Sequence, residues 1–449
     1  MSIRKRRASG TLYSLFNFKE ERALGRSCML LSSALSSVIS WLTTGLFYTS
    51  FLMANGIDVV KIGIITFVPY IANCASIFSP SILERFSKRK GILSASRAAY
   101  YTLNILAITV MPRFVTDPTA RMGLFVLLIF AANIINALFT SGYQVWQVNF
   151  IPENVRASYF SVNTLFTAFI GCGAALASSV VADALAASAY QDTILIIFRY
   201  IAYAFGLLDV FILARPKEYP YLRSAAVPRL RDIFVKPIRN KKFALTMVIV
   251  FFWNVAISVP NASLNYYLIN DVGVSYTFIY VINMFYPLFL LLFLPAWNRL
   301  LRRWGWLRTF AYGALLHTPT NLLYSCATAA NFRWVIPVVR LTQHLFGVGM
   351  NVAYANMVYL NLPPEDQTNY ISFHTLVLNG ATFLGIMAGT WFVGAFPDIR
   401  VQLGSLVFTN HQMLLWVNAL GNLLVPLAVL KLLPKLTPDA PAKAESSAA

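Results

Sequence analysis

The chain alternates long apolar stretches with short polar ones. A bilayer core needs about 20 consecutive, mostly apolar residues per helix. Runs that meet this fall at 27–52, 59–83, 91–112, 122–147, 158–182, 192–214, 243–268, 276–298, 306–327, 334–359, 370–396 and 409–432, twelve in all. Most contain Gly or Pro, which spanning helices tolerate because neighbouring groups satisfy the freed backbone. Ahead of the first run lies a tail, 1–26, carrying Arg4, Lys5, Arg6, Arg7, Lys19, Arg22 and Arg26. It has no apolar core and no cleavage pattern, so it reads as a basic tail and not as a removed signal peptide. The longest internal polar stretch, 215–242, separates the sixth and seventh runs. Its alternation around RLRDIFVKPI predicts a linker with a short amphipathic segment on the anionic inner leaflet; a merely solvated loop is the competing reading. Residues 434–449 are of low complexity and read as a disordered tail.

Composition narrows the class. Of 449 residues, 58% are hydrophobic and 12% charged, with a mean hydropathy of +0.62. Soluble domains carry about 25% charged residues, so a soluble enzyme and a disordered scaffold are both excluded, and an all-α integral membrane protein is expected. The net charge of +19 would suggest nucleic acid in a soluble protein, but its distribution says otherwise. Of the 36 Lys and Arg, Arg97, Arg199 and Arg340 lie within spans, and Lys61, Arg113, Arg121, Arg333 and Arg400 lie in the loops of one side. All the others lie on the opposite side. By the positive-inside rule both termini are cytoplasmic, in the cytoplasmic (plasma) membrane, and no nucleic-acid partner is needed. Cys28, Cys74, Cys172 and Cys326 stand alone in apolar runs, and the four His are scattered, so neither a disulfide frame nor a metal site is expected. No phosphate-binding GxxxxGK[ST] and no catalytic triad occurs; the sequence predicts neither an enzyme nor a cofactor.

The two halves echo each other. NFIPENVRASYFSVNTL (149–165) aligns with NLPPEDQTNYISFHTL (361–376) after one deletion, pairing Pro152 with Pro364, Glu153 with Glu365 and Tyr159 with Tyr370. NGIDVV (55–60) and VGVSYT (272–277) each follow the first span of a half, with Gly and then an N-capping Asp or Ser. Pro80 and Pro295 each precede a basic loop. The chain therefore divides into a six-helix half at 27–214 and another at 243–433, the parallel-repeat plan of one large transporter architecture.

On these features the chain resembles the major facilitator superfamily, from about residue 20 to 435. That family's loop between spans two and three has the form Gly-x-x-x-Asp-Arg-x-Gly-Arg-Arg. Here PSILERFSKRK keeps an acid (Glu84), Arg85 and the basic pair Lys88 and Arg89, while Pro80 and Ser87 replace the glycines. The resemblance implies a conformational latch in which Glu84 meets a helix N-terminus. It also implies gate contacts from the loops at 84–90, 152–156, 299–308 and 364–366, with Arg156 and Arg299 among them.

The resemblance further implies that spans 1, 4, 7 and 10 line a central cavity, and all four carry polar stripes at helical spacing. Span 1 has Ser40, Thr44 and Tyr48 with Trp41 beside them; span 4 has Asn133, Asn136, Thr140 and Gln144. Span 7 has Asn254, Ser258, Asn261 and Asn265; span 10 has Arg340, His344 and Asn351. For any single Asn, interhelical hydrogen bonding is the competing reading. Together the stripes predict a wet cavity whose amides and hydroxyls both donate and accept, suited to a neutral polyhydroxylated solute such as a sugar or glycoside. Arg340 is either an anchor for a substrate oxygen or a structural pair. Arg199 reads as a snorkelling residue, and Arg97 as a partner of Glu84 or a loop carbonyl. No acid lies in the four lining spans, so a coupling ion is left open, with His344 the titratable group nearest neutrality. The expected partners are the lipid bilayer and a small-molecule substrate, moved by secondary active or facilitated transport with alternating access. An exporter of amphipathic drugs and a non-transporting sensor of the same fold are the alternatives.

Overall fold

The computed structural model describes Phe16 and residues 20–83, 86, 88–148, 150–151, 153–218, 230–363, 367–404 and 406–436. The first apolar run does not form one helix. It gives α1 (Glu21–Thr43) and α2 (Gly45–Ala54), interrupted at Thr44, whose backbone is extended (φ −129°, ψ 179°), and at Gly45, whose φ is +61°. A left-handed φ is natural only to glycine, so the sequence marks the break. α3 (Val59–Asn73) continues through a 3₁₀ turn, Cys74–Phe78, into α4 (Ser79–Leu83). α5 (Lys90–Tyr101) passes through a π-helical turn, Thr102–Ala107, to α6 (Ile108–Val110). Three uninterrupted helices follow: α7 (Pro118–Val148), α8 (Glu153–Ala184) and α9 (Gln191–Leu213).

The second half opens with α10 (Leu230–Arg239). Ile233 is buried, Phe234 meets the ring of Phe373, and Tyr370 donates to the Lys236 carbonyl at 3.2 Å. The amphipathic segment thus contacts the neighbouring helix, while Phe234 and Ile238 stay exposed. α11 (Lys241–Ser258) and α12 (Asn261–Tyr266) are interrupted at Val259–Pro260, and a π turn follows at Tyr267–Asp271. α13 (Tyr276–Ser325) is 50 residues long but turns at Gly305, where φ is +76°. α14 (Phe332–Ala355), α15 (Gln367–Ala395) and α16 (Asn410–Leu436) complete the bundle.

The all-α expectation fails at one place. Strands β1 (Arg400–Leu403) and β2 (Leu406–Thr409) form an antiparallel hairpin that pairs Arg400 with Thr409. Aliphatic and β-branched residues flank a glycine, Gly404, at φ +61°, which is hairpin chemistry.

Among the described residues, nine helices are long and apolar enough to cross a membrane, α13 counted once. Helix N-termini follow the sequence echo: Asp58 accepts from Lys61 N at 2.9 Å and Ser275 from Phe278 N at 3.3 Å, each after a glycine at positive φ, Gly56 and Gly273. Tyr159 and Tyr370, paired in the repeat, are both buried near the start of their helices.

The halves meet along α3 against α15 and α8 against α13. At the end carrying the 55–58 and 273–275 turns they are closed by a shared core. Phe47 packs on Tyr276 and Tyr280, Trp41 lies edge-on to Tyr280, and Tyr276 donates to Ser50 Oγ. Asp183, at the end of α8, accepts from the amides of Tyr276 at 3.0 Å and Thr277 at 2.7 Å, capping the helix of the opposite half.

Candidate functional site

About midway along the first half, the breaks and turns described above surround a polar cavity of about 390 Å³. The break in α1–α2 supplies Thr43, Thr44, Gly45 and Tyr48; α3 supplies Thr66, Tyr70 and Asn73; α5 and its π turn supply Tyr100 and Asn104; α7 supplies Asn133. Asn261 and Asn265 of α12 reach in from the second half. A side chamber of about 220 Å³ shares Thr43, Thr44, Tyr100 and Asn104, and adds Ser36, Ser40, Arg97 and Asn136. Why the helices break here is local chemistry. Gly45 permits the left-handed turn, and Pro260 cannot donate to the helix ladder. The first amides of α2, whose cap residue Thr44 makes no side-chain bond to them, lack helical acceptors beside the cavity.

Several lining groups are already engaged. Thr44 Oγ1 donates to the Ser40 carbonyl at 2.7 Å, Asn133 Nδ2 to the Ile129 carbonyl at 2.8 Å, and Thr140 Oγ1 to Asn136. Among the described residues, the side chains of Asn73, Asn261 and Asn265 and the hydroxyls of Tyr48 and Tyr70 have no hydrogen-bond partner, and they face one cavity. Such a set can exchange water for the hydroxyls of a solute at little electrostatic cost.

Among the described residues, the one cation lining the side chamber, Arg97, is neutralised. Arg97 Nε donates to Asp209 Oδ2 at 2.5 Å and Nη2 to Ser36 Oγ at 2.7 Å, while Tyr101 Oη donates to the same carboxylate oxygen at 2.7 Å. The guanidinium also lies 5.0 Å from the Tyr143 ring centroid, a favourable cation–π distance. Asp209 is fully buried, and its Oδ1 has no protein partner. Arg97 therefore pairs with a helix-α9 acid, where Glu84 or a loop carbonyl was expected.

Arg199 also departs from expectation. It does not snorkel; only 2% of its surface is exposed. Its Nε donates to Thr109 Oγ1 at 2.7 Å and its Nη2 to the Asn104 carbonyl at 3.0 Å, over the ring of Phe51. The π turn frees those carbonyls, and Arg199 fills the vacancy.

The remaining sequence candidates fall elsewhere. Trp41 belongs to the seal with Tyr280, and Thr140 is exposed outside both chambers. Asn254 is buried and bonded to the Val250 carbonyl and to Tyr354 Oη, joining α11 to α14. Arg340, His344 and Asn351 form a second polar cluster within the second half. Arg340 makes long contacts of 3.4 Å to Gln343 and Asn283, Gln343 continues to Asn321 at 2.8 Å, and Asn321 to Asn418 at 2.7 Å. His344 lies against the Tyr286 ring with its buried Nε2 unpartnered, and Asn351 donates to Tyr286 Oη at 3.3 Å. The backbone of Gln144 is helical, but its side chain and that of Arg156 lie outside the described residues, as do Glu84 and Arg85. Lys88 is exposed, whereas Arg89 is buried and donates to the Phe86 carbonyl. Glu218 accepts from the Arg89 and Lys90 amides, capping α5 from the loop after α9. Arg299 is exposed near the middle of α13, six residues before the turn at Gly305.

The wall contributed by α3 and α5 was not anticipated. Thr66, Tyr70 and Asn73 repeat at i, i+4 and i+7, and Tyr100 and Asn104 at i and i+4, a spacing open to the same stripe argument.

Comparison with known proteins bears on this architecture. Residues 244–449 match the family model of the Major Facilitator Superfamily. No curated protein matches the chain by sequence. Among solved structures, a mutant of the nucleoside transporter NupG superposes with a TM-score of 0.69 at 12% identity, covering 91% of this chain and 99% of that one. A POT family transporter in complex with 5-aminolevulinic acid gives 0.66 at 13% identity, covering 96% and 99%. A D-xylose-proton symporter gives 0.61 at 12% identity, covering 92% and 98%. The chain is a multi-pass membrane protein of transporter fold. Its resemblance to the major facilitator superfamily is borne out, by sequence over the second half and by fold over nearly the whole length.

Proposed function

We propose that this protein carries a small neutral, polyhydroxylated solute, with a sugar or glycoside favoured, across the cytoplasmic membrane by alternating access. In this reading twelve spans form two six-helix halves, with both termini and the Arg299 end cytoplasmic. The observation that carries the proposal is the cavity beside Thr44 and Gly45, with unengaged amides from both halves and phenols from the first, while Arg97 of the adjoining side chamber is paired to Asp209. Its size falls within the range of small-molecule sites, about 300–1,000 Å³. The fold does not choose the cargo, because structures that share it are named for nucleosides, D-xylose, peptides and metal. The chemistry of the lining supports the polyhydroxylated reading. A phosphate or dicarboxylate wants unpaired cations, and an apolar drug wants an apolar wall; this cavity offers neither. Transport is facilitative, or is coupled through Asp209, which among the described residues is the one fully buried acid and pairs with Arg97 of the side chamber.

The first test is thermal stability of the purified protein against sugars, glycosides, nucleosides, carboxylates, amino acids and cationic drugs. A ligand at about 100 times its Kd adds roughly 2.7 kcal/mol. A shift confined to one glycoside class, lost in Asn73→Ala and Asn265→Ala, is expected. A shift confined to amphipathic drugs would replace this reading with an exporter, and silence across the panel would favour a non-transporting sensor.

A further inference from the structure

A second and larger cavity, about 770 Å³, lies where α8 and α13 part at the end opposite the seal. Its floor is apolar, with Phe160 on one side and Leu291 and Leu294 on the other, and Asn298, Arg299 and Arg302 stand at its far end. The order along α13 is regular. Leu291, Leu294, Asn298 and Arg302 follow at steps of three and four, so one helix face runs from hydrocarbon to charge. Leu291 is 52% exposed, so this face of α13 is not covered by a neighbouring helix. Both guanidiniums are exposed, and among the described residues no acid, carbonyl or ring engages either of them. Depth agrees with chemistry. From Tyr276 to Arg299 the helix rises about 34 Å at 1.5 Å per residue, close to the roughly 30 Å of a hydrocarbon core. The leucines therefore sit at acyl depth and the arginines at headgroup depth.

We propose that this cleft is a binding site for one anionic phospholipid, its phosphate gripped by Arg299 and Arg302 and its chains laid on Leu291, Leu294 and Phe160. Two guanidiniums one helical turn apart can offer paired N–H donors to a single phosphate, which a zwitterionic headgroup neutralises internally. Because α8 and α13 belong to different halves, the lipid is a wedge. It holds this end apart while the Asp183 end is closed.

The test uses the full-length protein reconstituted with equal amounts of phosphatidylglycerol and phosphatidylcholine, then mild detergent extraction and native mass spectrometry of the retained lipid. Wild type should retain phosphatidylglycerol in preference by about tenfold, given that each surface cation contributes measurably to anionic-lipid binding. Arg299→Gln with Arg302→Gln should bring the ratio near unity. Arg299→Lys with Arg302→Lys should keep most of the preference, and Arg400→Gln at the other end should leave it unchanged. Leu291→Trp with Leu294→Trp, which fills the cleft with both arginines intact, should lose the bound lipid; this variant decides the matter if the glutamine pair does not fold. The proposal fails if wild type shows no preference, or if the preference survives the glutamine pair. It fails also if inorganic phosphate displaces the bound lipid at equal concentration, which would mark a simple anion site.

Discussion

A guanidinium buried with no carboxylate in reach needs other compensation, and Arg199 has it in the carbonyl of Asn104, the hydroxyl of Thr109 and the face of Phe51. Arg97 is compensated differently, by the fully buried carboxylate of Asp209. Breaking such a pair leaves an unmatched charge, whereas removing both partners does not. Asp209→Asn is therefore expected to destabilise the protein by on the order of 3 kcal/mol, read as a lower melting temperature. Adding Arg97→Gln should recover part of that loss, and an additive double variant would refute the pairing. At this scale the sequence was legible where polar residues recur at helical spacing. Thr44, Tyr48, Asn133, Asn136, Asn261 and Asn265 all reach the chambers. Spacing alone cannot tell an amide facing water from one facing a neighbour. Asn254 belongs to the same stripe as Asn261, yet a three-dimensional partner, Tyr354, has claimed it. The partner of Arg97 lies 112 positions away, and no local pattern encodes it.

Interruptions in the helices place residues along the candidate cavity. Long apolar runs foretold a largely helical chain, because hydrophobic length is a one-dimensional signal; nine helices among the described residues are long and apolar enough to span. The breaks at Thr44–Gly45 and Val259–Pro260 depend on single residues, which apolar runs tolerate without a change of pattern. Close approach is also a matter of single residues. A Cβ at Gly385 would stand 2.5 Å from the Val255 carbonyl oxygen, and one at Gly389 would stand 2.0 Å from that of Val259. These two glycines, four apart, let α15 lie directly on the backbone of α11, the small-residue packing familiar in membranes. Gly389→Leu should abolish the monodisperse peak in size-exclusion chromatography, and Gly389→Ala should reduce it. Gly305→Ala should cost about 1–3 kcal/mol, because φ 76° with ψ 171° is a backbone region open essentially to glycine alone, and a melting temperature equal to wild type would show that the turn relaxes.

Across the whole molecule, the carboxylate of Asp183 bridges the two halves at the closed end, beside the aromatic core. Asp183 caps a helix to which it does not belong, and losing a cap costs about 0.5–2 kcal/mol. With Cys28, Cys74, Cys172 and Cys326 replaced and Asn265→Cys introduced as reporter, Asp183→Ala should raise labelling by an impermeant maleimide from the sealed side. About 1 kcal/mol corresponds to a roughly fivefold change in population. An unchanged rate would mean that the aromatic core of Phe47, Trp41 and Tyr280 holds the end closed without help. The capping residues of both halves were legible in the echo of NGIDVV and VGVSYT, whereas the cap from Asp183 was not, since it is made only when the halves meet. The same closure governs how the protein behaves in sealed vesicles. On the proposed transport reading, with the Asp183 end closed, a membrane-impermeant ligand added to the bath would meet the chamber only in those molecules inserted with the Arg299 end outward. Insertion bias during reconstitution will therefore set the apparent number of sites, and orientation must be counted before stoichiometry is.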